Sequence, residues 1–290
     1  MSWPHPPWTR ALLALASIVT CAWLTAPALW LLLTSIMTEA ESMAAPPHWI
    51  PREPNLDNYR ALLSPTGFLA LGAGGAAVQM PRAILNSVLV GASVVVLNLT
   101  VGTLAAYSLA RLECRGVRRL LIFYLASRMV PGVALVVPMF LIIKALGLID
   151  NPLAIIVAHT GFTLPFTIWI LRSYFQTIPR ELEDAAVVDR CTFRDLLWRV
   201  LVPVARPGLV GAGLFAFMSS WGEFLFALVF SSTESAKTIP VVVAELATDV
   251  DIRYTLMTTA GVLAIVPPLV LAFLFQRMIV SGLLAGSVKG

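Results

Sequence analysis

Six long runs of mostly apolar residues constrain this chain more than any other feature. They lie at roughly 11–36, 83–110, 119–146, 152–173, 206–231 and 256–281. A helix needs about 20 apolar residues to cross the hydrocarbon core of a bilayer, and each run is long enough. Only 12% of the 290 residues are charged, and 58% are hydrophobic. A soluble domain carries about 25% charged residues, so the polar surface here is too small to cover a water-soluble body. The expected fold is an all-α membrane protein with six transmembrane helices. The first run follows Arg10, as a secretory signal would. It exceeds the roughly 7–15 apolar residues of a signal core and reads as a retained span. Pro27, Pro131, Pro138, Pro165, Pro267 and Pro268 fall inside the runs, which predicts kinked helices and a bundle with a movable interior.

Orientation follows from Lys and Arg in the loops. With a cytoplasmic N-terminus, the inner set is Arg10, Arg111, Arg115, Arg118, Arg119, Arg172, Arg180, Arg190, Arg194, Arg199, Arg206, Arg277 and Lys289. The outer set is Arg52, Arg60, Arg82, Lys144, Lys237 and Arg253, with Arg128 left in the membrane. The bias places both termini in the cytoplasm. Segments 37–82 and 232–255 are then outside. The first contains "PPHWIPREPNLDNYRALL", whose Trp and Tyr suit a membrane interface, followed by a Gly/Ala-rich piece ending in "VQMPR". The three cysteines, Cys21, Cys114 and Cys191, show no metal-ligand spacing and read as ordinary thiols.

The charged stretch "ELEDAAVVDRCTFRDLLWRVLVPVARPGL" (181–209) stands between the fourth and fifth runs, on the cytoplasmic side. Pro179 suits the first turn of a helix. Glu181, Glu183 and Asp184 complement its positive end. Leu182, Ala185 and Ala186 give it a small apolar face. The pattern breaks near Asp189–Arg190–Cys191, and Thr192 with Asp195 resembles a capping box for a second helix. Phe193, Leu196, Leu197 and Val200 form that helix's apolar stripe, and Pro203 and Pro207 end it. The product is a helix–turn–helix at the inner membrane surface. It either joins two spans as an interfacial hairpin or docks a cytoplasmic partner.

The stretch resembles the EAA loop of ABC importer permeases, roughly E-A-A-x-x-x-G, nine further residues, then I-x-L-P. Glu183, Asp184, Ala185, Ala186, Asp189, Val200, Val202 and Pro203 fall on the pattern. Asp184 stands where the family has Glu, and Arg190 where it has Gly. A left-handed turn at that position costs a non-Gly residue about 1–2 kcal/mol. Further likenesses run along most of the chain: "PNLDNYRALL" (54–63), "LNSVLVG" (85–91), "LAAYSLARLECRG" (104–116), "SWGEFLFALVF" (220–230), "KTIPVVV" (237–243) and the tail "FQRMIVSGLLAGSVKG" (275–290). Together they resemble the second permease subunit of maltose-type carbohydrate importers.

That resemblance implies a division of labour. Two permease subunits form the pathway for a sugar or sugar derivative in the bacterial inner membrane. Two ATPase subunits, using ATP and Mg, each receive one EAA loop, and an extracytoplasmic solute-binding protein delivers the cargo. This chain would be a non-catalytic subunit without a cofactor. Its partners would be the other permease, the ATPases, the binding protein and membrane lipid, with no nucleic acid. It has no G-x-x-x-x-G-K-[ST] phosphate loop, so energy must come from a partner. The coupling loop spans 177–205 within a core of 83–281, followed by a tail at 282–290. Its contact residues are Leu182, Glu183, Asp184, Ala185, Ala186, Asp189 and Arg190. An alternative is the same machine class importing a polyol, glycerol phosphate or another small polar solute, such as an amino-acid-like compound. A proton-coupled secondary transporter would instead use Arg128, Glu223 and His159 as a relay. A membrane-embedded enzyme would need an HExxH or GxSxG cluster, which the sequence lacks.

An ionisable group inside a span is costly and marks function by default. Arg128 and Glu223 either pair with each other or each face the aqueous pathway. His159 reads as a hydrogen-bonded packing residue more readily than as a ligand. Trp221 and Phe224 either stack on a sugar ring or pack between helices. Lys144 sits where it can snorkel to the outer interface. Asn86 and Asn98 read as interhelical hydrogen-bond partners.

Overall fold

The computed structural model describes residues 7–64, 75–111, 115–248 and 252–287. Cys114, the Gly/Ala-rich piece at 65–74 and the last residues of the tail lie outside them. The chain divides into two compact units: Met1–Pro81 with Val243–Ile265, and Arg82–Val242 with Val266–Gly290.

In the first unit, helix α1 runs Pro7–Ser35 and accounts for the first apolar run. Two short helices follow in segment 37–82, α2 (Glu39–Ser42) and α3 (Asp57–Leu63). Their few apolar positions give too little periodicity to announce a helix. The Glu39 carboxylate accepts the backbone N–H groups of Tyr254 (2.8 Å) and Thr255 (3.1 Å) and the Thr255 hydroxyl (2.6 Å). It thereby caps the last helix at its positive end. Ser35 shares a hydrogen bond with the Tyr59 hydroxyl (2.7 Å), and its carbonyl accepts the hydroxyl of Thr259 (3.0 Å). Trp49 meets Trp30 edge-to-face at 5.1 Å.

A 3₁₀ turn at Gly75–Gln79, at the end of the first unit, leads into α4 (Met80–Arg111), which carries the second run and lies in the second unit from Arg82 onward. The third run is two helices, α5 (Arg115–Ser127) and α6 (Gly132–Ala145). The chain leaves the helix at Pro131, which lacks an N–H and disfavours helical geometry in the residue before it; its own backbone is extended, at φ −61° and ψ 130°. The fourth run is α7 (Pro152–Thr177), four residues longer than its apolar stretch. The hairpin supplies α8 (Glu181–Val188) and α9 (Phe193–Val204). The fifth run is also divided, into α10 (Arg206–Trp221) and α11 (Leu225–Phe230). Then come α12 (Ile239–Leu246), which has no counterpart in the sequence reading, and α13 (Tyr254–Ser287); the division between the units falls within each of these two helices. Among the described residues, four helices are long and apolar enough to cross a bilayer, and the bent α9–α10 pair makes a fifth candidate. Pro27, Pro138, Pro165 and the Pro267–Pro268 pair remain within continuous helices, so only Pro131 coincides with a break.

Helix α7 is the hub of the second unit. It packs on α10 so closely that a Cβ added at Gly208 would fall under 3.0 Å from the ring of Tyr174. Gly208→Ala should therefore lower stability by about 1–3 kcal/mol, the usual effect of overpacking. Thermal unfolding of Gly208→Ala alone and with Tyr174→Leu checks this, since the smaller side chain should recover the loss. Asn98 donates to Thr163 of α7 at 2.9 Å, the interhelical bond its sequence position suggests. Asn86 differs. Its amide reaches the carbonyls of Glu234, Ser235 and Lys237 (2.9–3.2 Å), in the loop before α12 and not on a helix.

The turn between α6 and α7 is tied to the same loop by Asp150, which sits at φ 63°. Its carboxylate accepts the N–H groups of Ser232 (3.0 Å) and Thr233 (2.9 Å) and the Thr233 hydroxyl (2.5 Å). Partial burial pushes the carboxyl up, but the bonds from Thr233 and Ser232 outweigh it and hold it below the usual carboxylate range. A depressed folded value contributes stability that is present above the unfolded pKa of about 3.9 and is lost as pH falls through the folded value beneath it. Asp150→Asn should remove part of the acid sensitivity below about pH 4. The unfolding midpoint of wild type and variant, followed from pH 6 downward, reads this directly.

Candidate functional site

The charged hairpin is built as its sequence dictates. Glu181, Glu183 and Asp184 occupy the first turn of α8. The helix ends in a Schellman motif: Cys191 N–H donates to Ala186 C=O (2.9 Å), and Arg190 N–H to Val187 C=O (3.0 Å). That motif requires a left-handed residue, and Arg190 adopts it, at φ 54°. The turn characteristic of this loop is thus made without glycine, under local strain. Arg190→Gly should stabilise the chain by roughly 0.5–1 kcal/mol, because the greater freedom of Gly in the unfolded chain offsets part of the relief. A rise in the unfolding midpoint is the expected reading, and a fall would show that the Arg190 side chain makes compensating contacts.

Thr192 caps α9 as expected, accepting from Asp195 N–H at 3.2 Å. The Asp195 carboxylate meets the Thr192 hydroxyl (2.6 Å) and Arg199 (3.3 Å), where a regular capping box would use the cap's backbone N–H. Leu196–Leu201 widens into a π-helical stretch just before Pro203. A π turn is one way to accommodate the donor that proline lacks. Leu196, Leu197 and Leu201 are buried, whereas Phe193 is 59% exposed and Trp198 49%. The apolar stripe therefore runs through Leu201 and leaves Phe193 at its margin, against the Tyr107 ring at 5.8 Å.

The seven residues singled out in the hairpin divide into two sets. Leu182, Asp184, Ala185, Asp189 and Arg190 are exposed. Glu183 and Ala186 turn inward. Glu183 accepts from the Tyr107 hydroxyl at 2.9 Å and forms a salt bridge with Arg111, both on the last turns of α4. Arg111 also donates to the Ile178 carbonyl (3.1 Å), and Arg172 of α7 donates to the Leu109 carbonyl (3.1 Å). The sequence reading missed Tyr107 and Arg111 as site residues. Their spacing of four puts both on one face of α4, which is the signal that could have found them.

The charges in the spans do not pair with each other. Glu223 lies at the break between α10 and α11, where it accepts from His159 Nε2 (2.9 Å) and from the N–H groups of Phe226 (3.0 Å) and Ala227 (3.2 Å). His159 Nδ1 bonds Ser220 at 2.8 Å, and the imidazole is 2% exposed. His159 is thus buried and hydrogen-bonded through both ring nitrogens, and Glu223 re-satisfies the backbone donors freed by the break. Trp221 is buried and stacks on Phe217 at 5.2 Å. Phe224 is 38% exposed. Arg128 lies at the other break, between α5 and α6, and is exposed. Its guanidinium donates to the Phe162 carbonyl and lies 5.9 Å from the Phe215 ring centre. The two breaks are neighbours: Phe162 stacks on Phe226 at 4.8 Å, and Phe226 lies against Gly132.

Comparison with known proteins gives a consistent result. Residues 98–284 match the family described as "Binding-protein-dependent transport system inner membrane component". The chain is 37% identical over 264 residues to the sulfoquinovosyl glycerol transport system permease protein SmoH of Agrobacterium fabrum, covering 91% of this chain and 88% of that one. It is 30% identical over 283 residues to the trehalose/maltose transport system permease protein MalG of Thermococcus litoralis, covering 97% of each. Its fold is similar to a solved bacterial ABC transporter involved in the import of the acidic polysaccharide alginate, with a TM-score of 0.77 at 20% identity, over 96% of this chain and 98% of that one. A multi-pass helical architecture, a hairpin with the EAA pattern and a family match over most of the length agree: this chain belongs to the binding-protein-dependent transport system inner membrane components, the permease subunits of ABC importers.

Proposed function

We propose that this chain forms half of the translocation pathway for a saccharide or close derivative, and that its hairpin is the joint to cytoplasmic ATPase subunits. The observation that carries the reading is the two-sided design of α8. Asp184 and Ala185 are exposed, and one residue earlier Glu183 is locked to Tyr107 and Arg111 of α4. A helix that offers one face outward and is bonded through the other to a span can transmit a displacement. ATP and Mg would act in the ATPases, with no cofactor in this chain. A second permease would complete the pathway and an extracytoplasmic binding protein would supply it. The distribution of Lys and Arg supports cytoplasmic termini. The names of the relatives, which mention sulfoquinovosyl glycerol and trehalose/maltose, support a saccharide cargo.

The test is to reconstitute the chain with its partner subunits in proteoliposomes and measure ATPase activity stimulated by the binding protein, alongside uptake. Asp184→Arg and Ala185→Arg should abolish both stimulation and uptake while the chain still inserts in the membrane. Full stimulation in either variant would show that the joint lies elsewhere.

A further inference from the structure

We propose that Trp49 and Ile50 anchor the segment after α1 in the lipid leaflet that meets the C-terminal end of that helix, at the boundary between hydrocarbon and headgroups. The partner is phospholipid. The inference goes beyond the transport reading and does not depend on the cargo.

Helix α1 sets the depth. It is long and apolar enough to cross a bilayer, and every residue from Ala11 to Trp30 is exposed. Its apolar run begins directly after Arg10, whose charge belongs outside the hydrocarbon. At 1.5 Å per residue, the roughly 30 Å hydrocarbon core is crossed in about 20 residues, and that count runs from Arg10 to Trp30. Trp30 therefore lies at the far hydrocarbon boundary, where tryptophan is enriched, and α1 continues past it to Ser35. Trp49 meets the Trp30 ring edge-to-face at 5.1 Å. The segment thus folds back beside α1 and returns Trp49 to the depth of Trp30.

The fold-back is tied in place. At its base the Asn55 N–H donates to the Ile36 carbonyl at 2.8 Å. Further along, the Arg52 N–H donates to the Glu41 carboxylate at 2.7 Å, and Thr38 caps α2 by accepting from the Glu41 N–H at 3.3 Å. Trp49 nevertheless stays 73% exposed and Ile50 76%. In water, two adjacent large apolar groups on a tethered loop would remain hydrated at a cost. At this depth they meet lipid instead, and the indole ring suits a site that is apolar at one end and wet at the other. Their apolar surface continues that of α1. Arg52 and Glu53 follow directly, both exposed, and suit the headgroup layer. The same segment carries Glu39, whose carboxylate caps the start of α13. The lipid contact therefore steadies the first turn of the last helix.

The experiment uses the assembled transporter in proteoliposomes of phosphatidylethanolamine and phosphatidylglycerol, with Cys21, Cys114 and Cys191 replaced by Ser. A nitroxide label on Ile50→Cys is compared with one on Glu53→Cys. Electron paramagnetic resonance reads collisions with oxygen, which concentrates in the bilayer, and with a water-soluble nickel chelate. The oxygen-to-nickel collision ratio at Ile50→Cys should be several-fold higher than at Glu53→Cys. Equal ratios, with free access of the nickel chelate at both sites, overturn the proposal. So does exclusion of both reagents from Ile50→Cys, which would mean that the second permease or the binding protein covers the site. A second measurement needs no label. The tryptophan emission that disappears in Trp49→Phe should be quenched more strongly by lipids brominated near the carboxyl end of the acyl chain than by lipids brominated near the methyl end. No quenching by either lipid overturns the proposal, and stronger quenching from the methyl end overturns the depth assigned. Both readouts are independent of uptake, so failure of the saccharide reading leaves them unchanged.

Discussion

Glu183→Ala is expected to destabilise the chain by about 3–5 kcal/mol, the cost of stranding one partner of a largely buried ion pair. The side chains of Arg111 and Glu183 are only 16% and 15% exposed. Removing the carboxylate leaves a guanidinium and the Tyr107 hydroxyl without the acceptor that both now use. Arg111→Met should cost a similar amount, because it strands the carboxylate instead. The double variant Glu183→Ala with Arg111→Met should recover most of the loss, since removing both charges leaves none uncompensated. Thermal unfolding of the purified complex over this cycle measures the coupling. If the two single losses simply add in the double variant, the pair is not the anchor of α8. Tyr107→Phe, which deletes one hydrogen bond and keeps the ring against Phe175 at 5.8 Å, should cost only about 1 kcal/mol.

The second large effect is expected at Glu223. Its carboxylate serves one imidazole and two backbone donors at once. Glu223→Ala should cost about 3 kcal/mol or more, since each buried donor left unmatched costs about 1–3 kcal/mol. Glu223→Gln is isosteric but turns one acceptor into a donor, and should fall between the two. Ser220→Ala removes only the outer member of the chain and should cost about 1 kcal/mol. Limited proteolysis at the break and the unfolding midpoint both report the loss. A Glu223→Ala variant as stable as wild type would mean that the break is satisfied by other groups.

These two clusters show what could be read from the sequence. The apolar runs were legible because hydrocarbon thickness sets a length that no soluble helix needs to meet. Much of the hairpin was legible residue by residue: the acidic first turn and the Thr192 cap follow from local rules, the left-handed position at 190 follows from the resemblance to the EAA pattern, and all three recur in the structure. The break at Pro131 carried a local signal, but Pro138 and Pro165 carry the same residue type inside unbroken helices. Which proline ends a helix depends on neighbours that can take up the freed groups, and that is tertiary information. Pairings across long separations were the least legible. Glu223 finds His159, 64 residues away, and not Arg128; Glu183 finds Arg111, 72 residues away. Composition shows that a buried charge needs a partner but not which partner lies within reach. The inward turn of Ala186 and Glu183 beside exposed Asp184 and Ala185 is likewise a property of how α8 seats on α4.

The lock between Glu183 and the end of α4 also bears on how such machines can be recombined. A hairpin moved from one transporter into another brings its own carboxylate but leaves behind the tyrosine and arginine that receive it. The portable cassette is therefore discontinuous: the hairpin together with the last turns of α4, from Tyr107 to Arg111. A chimera that exchanges only the contiguous loop inherits a socket shaped for a different plug.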